Sequence, residues 1–243
     1  DVISLVLALL AFRMAKVKPN SRYTYGYKKS TVLVSLLNAI ILLVAVGIIL
    51  AESIEKLRNP QPIAGGVIVW VAGVGILINA FTAFLFLKDK ERDLNIKGAY
   101  LHLMADALVS VGVVISGVII SYTHWYIIDP IIGIAIAIVI LVSTWNLLRD
   151  SLRLSLDGVP AGISAEKIRK LLLQVDGVRE IHHLHIWALS TTQNALTAHV
   201  VVASLEDGEA VKNRIKEILS EEHIPHATLE LETVAECCTD RTD

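Results

Sequence analysis

His102 and Asp106 stand four residues apart in the run AYLHLMADALVSVGVVISGVII. On an α-helix that spacing stacks the two side chains on one face, a turn apart. Their neighbours are apolar, and a carboxylate at bilayer depth costs about 2.5–3.5 kcal/mol on insertion scales. A divalent cation shared by imidazole and carboxylate would offset that cost, and zinc accepts such a nitrogen and oxygen mixture. A proton relay and a satisfied structural pair are the competing readings of the same residues. Asp1 runs directly into the apolar stretch VISLVLALLAF and is the second carboxylate candidate at membrane depth. Asp1, His102 and Asp106 would give three ligands, one short of a tetrahedral set.

A second group of such residues lies nearer the C-terminus. His182, His183 and His185 crowd one segment, His199 lies in the next, Glu230 and Glu232 follow in a third, and Cys237 and Cys238 close the series. Imidazole, carboxylate and thiolate together suit zinc. Strand alternation would put His183 and His185 on one face and His182 on the other, so not all three are expected at one ion. The adjacent cysteines lack C-x-x-C spacing and are a weak zinc signal by themselves.

The elements that must carry these residues are of two kinds. Of 243 residues, 54 % are hydrophobic and 19 % charged, with mean hydropathy +0.60. A soluble domain is less apolar and more charged. Residues 31–51 and 63–87 carry no charge at all, and about 20 apolar residues cross a bilayer core. An ordinary soluble enzyme, a disulfide scaffold and a disordered chain are thereby excluded. Five membrane helices are expected, over about 1–15, 29–57, 62–88, 95–122 and 126–150. The first reads as the inner part of a helix whose start is missing, with one further helix before it. Lys16, Lys18, Arg22, Lys28 and Lys29, then Lys88, Lys90, Arg92 and Lys97, then Arg149 and Arg153 mark alternate connections. By the positive-inside rule these face the cytoplasm. Tyr122, Trp125 and Tyr126 suit the opposite boundary as an aromatic belt.

After Arg153 the composition changes. Residues 1–153 are expected to form the membrane domain and 154–243 a cytoplasmic one. Ser164 can cap a helix closed by Gly177, and segments 178–190 and 195–204 are strand-like about the turn TTQN. Asp207–Glu221 reads as an amphipathic helix and 226–233 as a third strand. The order α-β-β-α-β predicts a small α+β sandwich of ferredoxin-like type. Residues 1–153 carry excess basic charge and 154–243 excess acidic charge, which argues against nucleic acid as a partner.

Four features together resemble the cation diffusion facilitators, a family of zinc transporters. They are YTYGYKK at 23–29, His102-x-x-x-Asp106, the linker Gly158-Val159-Pro160, and His182-His-Leu-His185-Ile-Trp187 followed by ALTAHV at 195–200. The resemblance implies a six-helix bundle with a ferredoxin-like cytoplasmic domain, a homodimer in the cell membrane, and export of divalent metal in exchange for protons. It implies that Asp1 is the acidic half of a first His-x-x-x-Asp motif. It maps the cytoplasmic ligands onto His182, His199 and Glu232. His183, Glu230, Cys237 and Cys238 become additional candidates. Lys29 resembles a basic residue that pairs with a linker carboxylate, here Asp157. The 88–97 connection has no His-rich insert, as in bacterial members.

The expected activity is therefore proton-coupled export of Zn²⁺, with Cd²⁺ or Co²⁺ as further cargo and zinc also as a regulatory ligand. A proton-linked carrier of a non-metal substrate is the alternative, and it leaves the His-rich domain without a role. An enzyme is not expected, because no H-E-x-x-H pattern or nucleophile motif occurs.

Overall fold

The computed structural model describes residues 2–59 and 65–233. It contains α1 (Val2–Ala15), α2 (Ser30–Arg58), α3 (Gly65–Phe86), α4 (Leu94–Thr123) and α5 (Ile128–Ser155). The C-terminal elements follow as α6 (Ala165–Leu173), β1 (Val178–Ala188), β2 (Asn194–Val202), α7 (Gly208–Glu221) and β3 (His226–Thr233). Two compact units result, one of residues 1–17 and 30–151 and the other of 18–29 and 152–243.

In the first unit, α2, α4 and α5 are each long and apolar enough to cross a membrane, while α1 and α3 contribute the shorter apolar stretches Val6–Ala15 and Ala72–Phe86. Leu77, Phe81 and Phe84 of α3 are well exposed, as lipid-facing side chains of a bundle are. Inside, α5 turns a stripe of Ala137, Ile140, Thr144, Leu147 and Ser151 inward, all buried. The spacing of 3, 4, 3 and 4 keeps these residues on one face. Val46 of α2, Ala105 of α4, and Ala137 and Ile140 of α5 form one apolar cluster. Ala39 and Leu42 of α2 meet Leu147 in another.

Small residues bring these helices close, as is usual where lipid supplies no hydrophobic drive between helices. A Cβ on Gly112 would lie 2.5 Å from Ile136 Cδ1, and one on Gly133 would lie 2.5 Å from Ser53 Oγ. Polar ties hold both ends. Ser35 and Ser151 share a 2.8 Å hydrogen bond at one end. At the other, Lys56 Nζ donates to Asp129 Oδ2 at 2.9 Å and Ser116 Oγ donates to Asp129 Oδ1 at 2.8 Å. One carboxylate thus joins α2, α4 and α5. Helix α5 runs to Ser155, five residues beyond its expected end at 150. Leu154, near that end, is buried.

In the second unit a three-stranded sheet has the order β1-β2-β3, with β1 antiparallel and β3 parallel to the central β2. Helices α6 and α7 supply Ile168, Leu172, Val211, Ile215 and Leu219 to a core with Leu196, Ala198, Val200 and Val202 of β2. Ser164 Oγ accepts from the Lys167 amide and caps α6. Gly177 at φ 92° supports the turn into β1, a conformation glycine reaches without steric cost. The α-β-β-α-β order and three-stranded sheet agree with the sequence expectation.

Candidate metal centres

His102 and Asp106 lie on α4 with Nε2 and Oδ2 3.8 Å apart. Their side chains are 14 % and 35 % exposed, so neither is free in solvent. Asp106 Oδ2 is itself buried and has no hydrogen-bond partner among the described residues. Two electron-pair donors at that separation can close on one cation by small rotations. Asp1, the third residue expected here, lies outside the described residues.

The C-terminal cluster is built by the sheet. Leu196, Ala198, Val200 and Val202 of β2 face the helices, so His199 faces the other way. On β3, Leu229 and Leu231 pack on the core, which turns Glu230 and Glu232 to the same outer face as His199. His199 Nδ1 lies 2.5 Å from Glu232 Oε1, and its Nε2 lies 3.4 Å from Glu230 Oε2. His182 of β1 is paired with His199 across the strands, and its Nε2 is 3.4 Å from Glu232 Oε2. The nearest donor atoms of His182, His199 and Glu232 all fall within 4.8 Å of one another.

His182 is 4 % exposed, yet neither of its ring nitrogens makes a hydrogen bond among the described residues. A buried imidazole rarely goes without a partner. A borderline metal ion would satisfy it, and the set of two imidazoles and a carboxylate has zinc's preferred chemistry. The donors therefore fit such an ion. Glu230 is largely exposed at the rim. Cys237 and Cys238 lie outside the described residues.

His183 departs from expectation. Between His182 and His185 the pairing slips by one residue, so β1 spends three steps where β2 spends two. His183 takes φ 48° at this bulge. Ile181 and Leu184 both reach the core, which leaves His182 and His183 adjacent on the outer face. Their rings are 5.2 Å apart, and the His183 ring is 4.9 Å from that of His199. Strict alternation fails here because a bulge adds a residue without adding a pair. His183, not His185, joins the cluster; His185 is exposed.

Two further contacts belong to this unit. Lys29 Nζ lies 2.5 Å from Asp157 Oδ1 and donates to the Ala188 carbonyl at 3.0 Å. The Tyr25 hydroxyl is 3.4 Å from Nε2 of His226, the first residue of β3. The sequence marks His226 only as the first residue of the third strand; its meeting with Tyr25, 201 positions away, has no local signature.

The family model described as the cation efflux transmembrane domain matches residues 1–154. That described as the cation efflux protein, cytoplasmic domain, matches residues 160–234. The chain belongs to the cation efflux family. Among its relatives, the zinc transporter ZitB of Pectobacterium atrosepticum is 38 % identical over 236 residues, covering 96 % of this chain and 73 % of that one. The cadmium, cobalt and zinc/H(+)-K(+) antiporter of Bacillus subtilis is 33 % identical over 97 % of this chain and 77 % of its own length. The metal cation efflux system protein CzcD of Cupriavidus metallidurans is 34 % identical over 96 % and 74 %. A solved structure of the metal-bound C-terminal domain of the CzcD transporter aligns at 32 % identity with TM-score 0.27, over 29 % of this chain and 99 % of that one. As a member of the cation efflux family, the chain is a multi-pass membrane transporter of divalent metal cations with a cytoplasmic C-terminal domain.

Proposed function

We propose that this cation efflux protein exports Zn²⁺ from the cytoplasm in exchange for protons, with His102, Asp106 and Asp1 as membrane ligands. The geometry of His102 and Asp106 carries this reading: an imidazole 3.8 Å from a carboxylate oxygen that has no hydrogen bond among the described residues, in an apolar helix. Proton coupling follows from competition. Metal requires the deprotonated ligands, so protons arriving from outside weaken its hold and remain on the site for the return. The names of the relatives, zinc transporter and H(+)-K(+) antiporter, support this choice of cargo and counter-ion.

In the cytoplasmic domain, His182, His199 and Glu232 would hold a resident zinc, with His183 and Glu230 as further candidates and Cys237 or Cys238 as ligands from the tail. A bound ion there would join β1, β2 and β3. It would also bias the inward- or outward-facing state of a homodimer, to the extent that its affinity differs between them. The decisive experiment reconstitutes the full-length protein in vesicles with a zinc dye and a pH dye inside. Zinc entry coupled to opposite proton movement is expected, with both lost in His102→Ala. Retained exchange in that variant would remove His102 from the site.

A further inference from the structure

We propose that Thr144 of α5 and Asn38 of α2 are positioning residues of the membrane site, holding the imidazole of His102 in its metal-binding orientation. The inference rests on the assignment of His102 as a ligand. Gly98, His102, Ala105 and Gly112 recur along one face of α4 at steps of four, three and seven. A Cβ on Gly98 would lie 3.5 Å from Leu147 of α5 and 3.6 Å from Asn38 of α2. Ala105, one turn beyond His102, clusters with Ile140 of α5 and Val46 of α2. His102 therefore falls, in register, between the levels of Gly98–Leu147 and Ala105–Ile140. On the facing helix the inward residue between Leu147 and Ile140 is Thr144. Asn38 sits one turn toward the cytoplasmic end, at the level of Gly98.

Both residues are anomalous where they stand. Thr144 is fully buried and Asn38 is 1 % exposed. The Thr144 hydroxyl and both the oxygen and nitrogen of the Asn38 amide lack a hydrogen-bond partner among the described residues. Ser35 and Ser151 lie farther along the same stripes and satisfy each other. Unmet polar groups in an apolar bundle call for a partner supplied at some stage of function. A metal-binding imidazole supplies that need. It presents one nitrogen to the ion and donates the other N–H to an oxygen, which fixes its tautomer and tilt. Nε2 of His102 faces Asp106, so the remaining nitrogen is the donor. In the metal-bound site Thr144 Oγ1, the inward hydroxyl at that level, would accept this hydrogen bond, with the Asn38 amide one turn away.

The test measures zinc KM, maximum rate and the zinc-to-cadmium rate ratio in vesicles holding the full-length protein. Thr144→Val keeps the shape and removes the hydroxyl; it is expected to raise KM roughly 10–100-fold and to shift the metal ratio. Thr144→Ser is expected to restore both to within about threefold, and Asn38→Leu to raise KM by about threefold to tenfold. An unchanged KM and ratio in Thr144→Val, beside an inactive His102→Ala, would overturn the positioning role. A fall in rate with the metal ratio unmoved and no rescue by serine would overturn it too, because simple packing loss gives that result. Activity in His102→Ala would instead overturn the site assignment itself.

Discussion

The membrane bundle and the cytoplasmic sheet both bring imidazole next to carboxylate, but by opposite means. His102 and Asp106 come from a single helix, four residues apart, and their approach requires no other element. His182, His199 and Glu232 come from three strands and converge only when the sheet has the register observed. A site on one helix can be unloaded and tilted with that helix, which suits an ion in transit. A site sewn across three strands exists only while the fold exists, so an ion held there reports on and reinforces the domain.

That contrast can be broken most sharply at the membrane pair. Asp106→Ala is expected to lower the zinc transport rate by three orders of magnitude or more, on the scale of about 4 kcal/mol, while the protein still binds zinc at its cytoplasmic site. Flux and equilibrium binding on the same preparation check this; transport near the normal rate would show that the helical pair is not the carrier site. In the soluble domain the largest effect should come from the core, not the ligands. Leu196→Ala removes a fully buried side chain beside Val200 and Ile215 and is expected to destabilise the domain by about 2–5 kcal/mol, read as a lowered urea midpoint.

Removing a ligand should do less. His182→Ala or His199→Ala is expected to weaken cytoplasmic zinc affinity about 10–100-fold while transport falls only severalfold. Calorimetric titration beside flux separates the two; abolished transport in both variants would mean that the sites act as one. The smallest effect is expected at Lys29. Its pair with Asp157 is well exposed, and Lys29→Ala should change stability by no more than about 1 kcal/mol.

Legibility from sequence followed the same division. The i,i+4 spacing of His102 and Asp106 fixes their geometry as soon as the helix is recognised, and long uncharged runs make that helix easy to recognise. The α-β-β-α-β order was equally plain, because Ile168 and Leu172, Val211 and Ile215, and the alternation through HATLELET each declare one period. His183 was misplaced because nothing local marks a bulge filled by histidine rather than glycine. Asn38 and Thr144 passed unnoticed because a single amide or hydroxyl barely interrupts an apolar run. Their isolation shows only when facing helices are set in register. The meeting of Tyr25 with His226 depends on chain paths that no short pattern encodes.

At the bulge between His182 and His185, β1 carries one residue more than β2 sets opposite it. Deleting His183 would let Ile181, His182 and Leu184 follow simple alternation, keeping every other side chain on its present face and discarding a left-handed backbone turn that a β-carbon disfavours. The pleat alone would thus accommodate a shorter and more relaxed strand. The chain's retention of the longer one ties up a histidine beside two others, and a single codon's removal would ask whether that third ring is ornament or equipment.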